Sequence, residues 1–269
     1  MVRIVRLLIL LAAVGLTSPC CYSQGVPSDQ LCGVHLRPSV QQLRLYVENK
    51  LGTQVACKLG RILVSEGDYA HFDFDRDVPT ITLDENYGKD ETEITHELFH
   101  VKQTVLRLTG QQLKVSFPAE LDDGEFFLVL KRFKQALEHR QFYPAMTAMG
   151  FDPTKKDRGK LEELLNSTQG INRRLERKEF VTKYVAYATQ RLPPPLLAKL
   201  DRVYRDNGLE RELTYGKKIA SVIQRAKSVD STQMNATIRK CLELYYDRDL
   251  PSDIVVILPG TFLSSAQAN

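Results

Sequence analysis

Two histidines and one glutamate form a short pattern that could carry metal chemistry. His96, Glu97 and His100 make up the sequence H-E-x-x-H, inside a stretch with helical periodicity. Residues four positions apart lie on the same face of a helix, so both imidazoles could hold one metal ion. Glu97 would lie on an adjacent side, where its carboxylate could accept a proton from a water molecule on the metal. The pattern predicts a cation site with Glu97 as general base.

The surroundings of this pattern support a functional role. The chain has only five histidines in 269 residues, which makes a chance H-E-x-x-H improbable. Ile94, Leu98 and Phe99 surround the motif with apolar side chains, so the helix should be buried. Burying two histidines and a glutamate without a partner would cost free energy. A bound metal would offset that cost.

The segment ITHELFHVKQ resembles the active-site helix of the zincin-like zinc metallopeptidases, and TITLDENYG before it resembles their edge strand. The resemblance covers Thr80 to Leu108. It implies Zn²⁺, hydrolysis of peptide bonds, and a peptide or protein substrate that pairs with the edge strand. Two other functions stay open. One is a catalytically inactive zincin-like binding or scaffold protein, and the other is a zinc hydrolase of a non-peptide amide or ester.

A catalytic zinc site generally has three protein ligands, and the third is harder to predict. His139 is the only histidine after the motif and is the preferred candidate, with Glu138 beside it as an alternative. A straight helix from the region of Pro118 could, however, carry position 139 past the metal. The other candidates are Glu179 or Glu176 on a later helix, and Glu120. Three tyrosines could hydrogen-bond a developing oxyanion, although core packing is the simpler role: Tyr143, Tyr184 and Tyr187.

The elements that must position these residues predict an α+β fold. We expect a helix at 39–51, strand-rich segments in ACKLGRILVSEGD and HFDFDRD, and a half-buried strand in PTITLDENYG, where Ile and Leu alternate with Thr. The helix ETEITHELFHVKQTVLRL follows, and a second long helix begins near Pro118. The predicted fold is therefore a small strand-containing N-terminal part, with an edge strand before the H-E-x-x-H helix, followed by a mostly helical C-terminal part.

The N-terminus predicts export. Arginines precede the apolar run LLILLAAVGL, which is shorter than the roughly 18 residues of a membrane span, so we expect a signal peptide at 1–23. The rest, 24–269, would be one zincin-like domain, with a helical subdomain that could begin near residue 193. The protein would be secreted or periplasmic, without a stable membrane span; a lipid anchor is the weaker alternative.

The cysteines and the charge complete the predictions. In an oxidising compartment Cys32 and Cys57, which flank one helical stretch, are the natural disulfide pair, although other pairings stay open. Cys241 should be a buried free thiol on an apolar helix face. The net charge of +4 is small and spread along the chain, so we expect no nucleic-acid partner.

Overall fold

The computed structural model describes residues 29–62, 70–75, 78–86, 90–108, 123–166, 177–226 and 231–250. The fold of this part is α+β and mostly helical, with its strands near the N-terminus, as predicted. Three predictions lie outside the described residues: the signal peptide at 1–23 and the ligand candidates Glu120 and Glu176.

The N-terminal part combines two small sheets with two helices. Its elements are β1 (Gln30–Leu31), β2 (Val34–His35), α1 (Pro38–Leu51), β3 (Ala56–Gly60), β4 (Ala70–Asp75), β5 (Val78–Asp84) and α2 (Glu91–Leu108). Helix α1 ends where predicted, because Gly52 takes the left-handed conformation (φ 68°) that glycine adopts without strain. Strands β1 and β2 form an antiparallel pair. The disulfide between Cys32 and Cys57 joins their turn to β3, with the Cα atoms 5.3 Å apart, which confirms the predicted pair.

The strand before α2 corrects the prediction of an edge strand. The second sheet has the order β3-β5-β4, so β5 is its central strand, parallel to β3 and antiparallel to β4. Its predicted half-burial is also wrong, because Thr80 and Thr82 (6% exposed each) are buried as well as Ile81 and Leu83 (0% and 1%). Strands β3 and β4 pair with the two edges of β5, and α2 packs against it. The alternation of Thr with Ile and Leu therefore does not separate a solvent-exposed face from a buried face.

Helix α2, which carries the H-E-x-x-H motif, has the bounds that its periodicity predicts. An Asp90 side-chain oxygen accepts a hydrogen bond from the backbone N–H of Thr92 (2.8 Å), which caps the first turn. Glu91 and Glu93 add negative charge there, where the helix dipole favours it. Ile94, Leu98 and Val101 are fully buried and anchor the helix in the N-terminal core.

Helix α3 (Asp123–Ala148) joins two hydrophobic cores. Its 26 residues span roughly 39 Å, and it continues through Pro144 for four more residues. Phe126 and Phe133 pack in a core built from helices only. Phe142 and Met146, farther along, pack in the N-terminal core with α1, α2 and the strands. Positions 138 and 139 thus lie where the two cores meet.

The remaining helices of the described chain form the rest of the helical part. They are α4 (Lys155–Asn166), α5 (Arg177–Thr189), α6 (Pro194–Asp206), α7 (Glu210–Arg225) and α8 (Ser231–Tyr246). Helix α5 packs closely on α7, and α3 packs on α5 and α8. Cys241 on α8 is fully buried and not disulfide-bonded, as predicted. None of the helices described between residues 29 and 250 has the length and apolar character that a membrane span requires.

One arginine holds the start of α2 close to the end of α3. The Nε atom of Arg37 lies 2.9 Å from a carboxylate oxygen of Glu91, and its Nη1 atom donates to the carbonyl oxygen of Met149 (3.1 Å). The same guanidinium lies 4.1 Å from the centre of the Phe151 ring. Arg37 therefore helps to set the relative position of the two helices that bear the predicted ligands.

Candidate metal centre

The structure brings His139 on α3 together with His96 and His100 on α2. The Nε2 atoms of His96 and His100 are 3.1 Å apart, and those of His100 and His139 are 3.2 Å apart. The potential ligand atoms of the three side chains all lie within 4.8 Å of one another. Among the residues that the structure describes, no other group of three histidine, cysteine or acidic side chains is arranged in this way. These three histidines could hold a metal ion.

The spacing of the nitrogen atoms suits a small divalent cation. Zinc binds imidazole nitrogen at about 2.0–2.1 Å in a tetrahedral arrangement, which places two ligand nitrogens about 3.3–3.4 Å apart. The separations of 3.1 and 3.2 Å are close to that value. Three imidazoles are also a donor set of catalytic zinc sites. The residues therefore fit zinc.

The electrostatics of the site favour neutral imidazoles. Burial, followed by the nearby His139 and His100, lowers the pKa of His96 well below its usual value. Burial and then His100 lower the pKa of His139 to about 3. Both side chains are therefore neutral at pH 7, the form that binds metal. His96 and His139 also keep partial solvent exposure, which a centre open to a substrate requires.

A buried carboxylate lies behind one of the three rings. A carboxylate oxygen of Glu138 is 2.9 Å from Nδ1 of His100, with only 3% of the Glu138 side chain exposed. The contact is made to the ring nitrogen that does not face the other histidines. Glu138, which the sequence predicted as an alternative ligand, thus lies outside the group of three and contacts His100 instead.

Tyr143 has a similar relation to His139. Its hydroxyl group is 3.1 Å from Nδ1 of His139, and the two rings stack with centroids 4.8 Å apart. Burial, followed by the charges of Asp157, Glu93 and Glu97, raises the pKa of Tyr143 well above its usual value, so the phenol stays protonated. The hydroxyl contacts the far side of the imidazole. This position suits orienting His139 rather than stabilising an oxyanion.

Phe142 forms an apolar base under the three histidines. Its ring centroid lies 5.2, 5.0 and 5.4 Å from those of His96, His100 and His139, in edge-to-face geometry, and only 2% of the residue is exposed. Phe72 of β4 stacks on His100 at 6.3 Å. Packing on several sides restricts rotation of the imidazole rings and keeps the Nε2 atoms close together.

Glu97 is buried next to the group, with 6% of its surface exposed. Its charge contributes to the raised pKa of Tyr143, so the two side chains lie within electrostatic range of each other. Glu179, another ligand candidate, is not part of the group of three. Burial lowers the pKa of Arg132 and of Lys183, and the charge of Glu179 opposes this shift at both cations, so Glu179 lies near these side chains of α3 and α5. Of the other tyrosines, Tyr184 donates its hydroxyl to Asp201, 2.9 Å away.

Three contributors to the site were not anticipated from the sequence. They are Phe142 beneath the histidines, Phe72 against His100, and Lys134, whose Nζ atom lies 3.6 Å from the second oxygen of Glu138. Lys134 precedes Glu138 by four residues, a spacing that brings opposite charges together on a helix and could have indicated the pair. No comparable signal pointed to Phe72, because its contact depends on how β4 packs on α2.

Comparisons with known proteins found no relative of this chain. No protein-family model, curated protein or solved structure matches the chain.

Proposed function

We propose that the chain is an exported, zincin-like zinc peptidase in which His96, His100 and His139 bind the zinc ion and Glu97 is the general base. One observation carries this proposal. Three imidazoles, two of them from an H-E-x-x-H helix, converge within 4.8 Å, and burial keeps His96 and His139 neutral. A structural zinc site generally has four protein ligands, whereas three leave a position open for chemistry.

Each of these side chains has a task in hydrolysis. Bound by three imidazoles, a zinc ion would supply Lewis acidity and make water nucleophilic near neutral pH. The Glu97 carboxylate would accept a proton from that water and return it to the amide nitrogen of the leaving group. Phe142, beneath the histidines, keeps water away from the inner side of the site. The base and the ligands thus come from one rigid, buried helix and its neighbour α3.

Strand β4 is the element we propose for binding an extended peptide. It is an outer strand of the described sheet, paired with β5 on one side. It also packs against α2, and its Phe72 ring stacks on His100. A peptide that adds to such a strand gains backbone hydrogen bonds beside the metal centre. The proposed peptide-binding strand is therefore β4 in place of β5.

The test compares wild type with Glu97→Gln. Purified wild-type protein should contain about one zinc ion per chain and cleave members of a broad peptide library, followed by mass spectrometry. Glu97→Gln should keep the zinc and lose at least about 100-fold in rate, the usual contribution of a general base. Glu48→Gln is the matched control: it changes a largely buried carboxylate of α1 that binds Arg44 instead, and its rate should stay close to wild type.

The alternatives give different results. Zinc-loaded wild type that leaves the library as intact as Glu97→Gln does would refute the peptidase and support a binding or scaffold protein. Cleavage of amide or ester compounds without cleavage of peptides would identify a non-peptide hydrolase. Wild type without zinc or another divalent metal would refute the metal centre itself.

A further inference from the structure

Glu138 and His139 are consecutive residues of α3 that contact the same site from different sides. Neighbours on a helix differ in direction by about 100°. The Nε2 atom of His139 accordingly faces that of His100 at 3.2 Å, while a Glu138 oxygen reaches Nδ1 of His100 at 2.9 Å. One turn of α3 therefore contacts both nitrogens of the same imidazole.

The burial of Glu138 makes this contact specific. A carboxylate with 3% of its side chain exposed is costly unless it is paired. One oxygen accepts from His100, and the other lies 3.6 Å from the Lys134 ammonium, whose side chain is only 14% exposed. Because Glu138 occupies the Nδ1 side of the ring, the nitrogen of His100 that faces His96 and His139 is Nε2.

We propose that Glu138 is a positioning residue of the metal centre, acting through His100. It selects the tautomer of His100, holds the ring with Nε2 toward His96 and His139, and makes that nitrogen a stronger donor to a cation. The inference rests on the proposed metal site. Glu138 is neither one of the three proposed ligands nor the general base, so this role is separate from theirs.

The test measures zinc affinity by competition with a chelator, without any assay of hydrolysis. Glu138→Gln keeps the shape and removes the charge, and should weaken zinc binding by about 10- to 100-fold. Glu138→Asp keeps the charge but withdraws the carboxylate by one carbon–carbon bond, and should also weaken it. Two variants keep the test decisive if one does not fold. The visible absorption of bound Co²⁺ should shift in both, since the donor strength of His100 changes.

Glu48→Gln is the matched control. Glu48 is a carboxylate with 11% of its side chain exposed, 2.8 Å from an arginine four residues earlier, and lies on α1. Its replacement should lower the stability of the fold and leave zinc affinity and the Co²⁺ spectrum unchanged. A role limited to packing predicts the same effects for Glu48→Gln and Glu138→Gln.

The possible outcomes separate this inference from the proposed function. If wild type binds zinc and Glu138→Gln and Glu138→Asp bind it equally tightly with an unchanged Co²⁺ spectrum, the positioning role is refuted and the metal centre stands. If Glu48→Gln weakens zinc binding as much as they do, the effect is general and the positioning role is again refuted. If wild type binds no divalent metal, both proposals fail together.

Discussion

Replacing His139 with alanine tests the centre most directly, because it removes the only proposed ligand outside the H-E-x-x-H helix. Zinc binding by four protein ligands is worth about 10–16 kcal/mol, or about 2.5–4 kcal/mol per ligand. At 1.4 kcal/mol per factor of ten, the loss of one ligand should weaken zinc binding by about 100- to 1,000-fold. The Nε2 atom of His139 lies 3.2 Å from that of His100. An alanine side chain has no donor atom that could take its place.

The same change should have little effect on the metal-free protein. Alanine loses the stacking on Tyr143 and the hydrogen bond to its hydroxyl, which together contribute about 1–2 kcal/mol. It also loses the contact of its Nε2 atom with that of His100, 3.2 Å away. We expect a change in the free energy of unfolding of no more than about 2 kcal/mol without metal.

Chemical unfolding of both proteins, once with chelator and once with zinc, separates the effect of lost zinc binding from the effect of lost side-chain contacts. At free zinc of about 1,000 times the wild-type Kd, the metal should stabilise wild type by about 4.1 kcal/mol. At the same zinc concentration the variant, binding 100- to 1,000-fold more weakly, should gain only about 0.4–1.4 kcal/mol. The zinc-dependent difference between the proteins is therefore about 2.7–3.7 kcal/mol.

Two controls make this result specific. His35→Ala removes an exposed histidine that binds Asp29, and Glu179→Ala removes a former ligand candidate beside Arg132. Both should keep the full stabilisation by zinc. The reasoning is wrong if His139→Ala is stabilised by zinc as strongly as wild type, or if Glu179→Ala loses that stabilisation instead.

Two further predictions concern the scaffold. Gly216→Ala should destabilise the protein by about 1–3 kcal/mol, because a Cβ atom there would lie 2.7 Å from the ring of Tyr184. Gly159→Ala, in open space, should instead stabilise its helix by about 1 kcal/mol. Thermal unfolding measures both changes, and equal shifts would contradict the close packing of α5 on α7. Replacing Cys32 and Cys57 together by serine should lower the free energy of unfolding by about 3.5 kcal/mol, the loop-closure value for a separation of 25 residues. Denaturant unfolding measures that loss, and an unchanged midpoint would show that the disulfide does not stabilise the fold.

Local features of the chain could be predicted because their causes lie within a few residues. The periodicity of Ile94, Leu98 and Val101 predicts α2 with its observed bounds, and the four-residue spacing of His96 and His100 places both imidazoles on one face. Gly52 ends α1 for a reason that is equally local, its left-handed backbone conformation. Helix geometry is the same wherever the helix lies in the fold. Two of the three clustered histidines therefore needed no tertiary information.

The environment of β5 shows where such local reasoning fails. The alternation of Ile81 and Leu83 with Thr80 and Thr82 is compatible with a half-buried edge strand, yet all four side chains are buried. Burial of a side chain depends on what packs against its face of the sheet, and the sequence of β5 does not show that α2 packs against it between the flanking strands β3 and β4. The segments that pair with β5 are short and partly polar. The residues of β5 alone therefore do not indicate that it is the central strand.

The amino-acid sequence by itself determined the helix that carries the H-E-x-x-H motif, the residue types available as ligands and the candidate base. The tertiary structure decided where each ligand candidate lies: His139 joins the other two imidazoles, Glu138 contacts the Nδ1 side of His100, and Glu179 lies near Arg132. The physical reason is one of distance. Coordination and hydrogen bonding act over about 2–3 Å, and residues 38 or 39 positions apart reach that range only through the packing of α3 against α2.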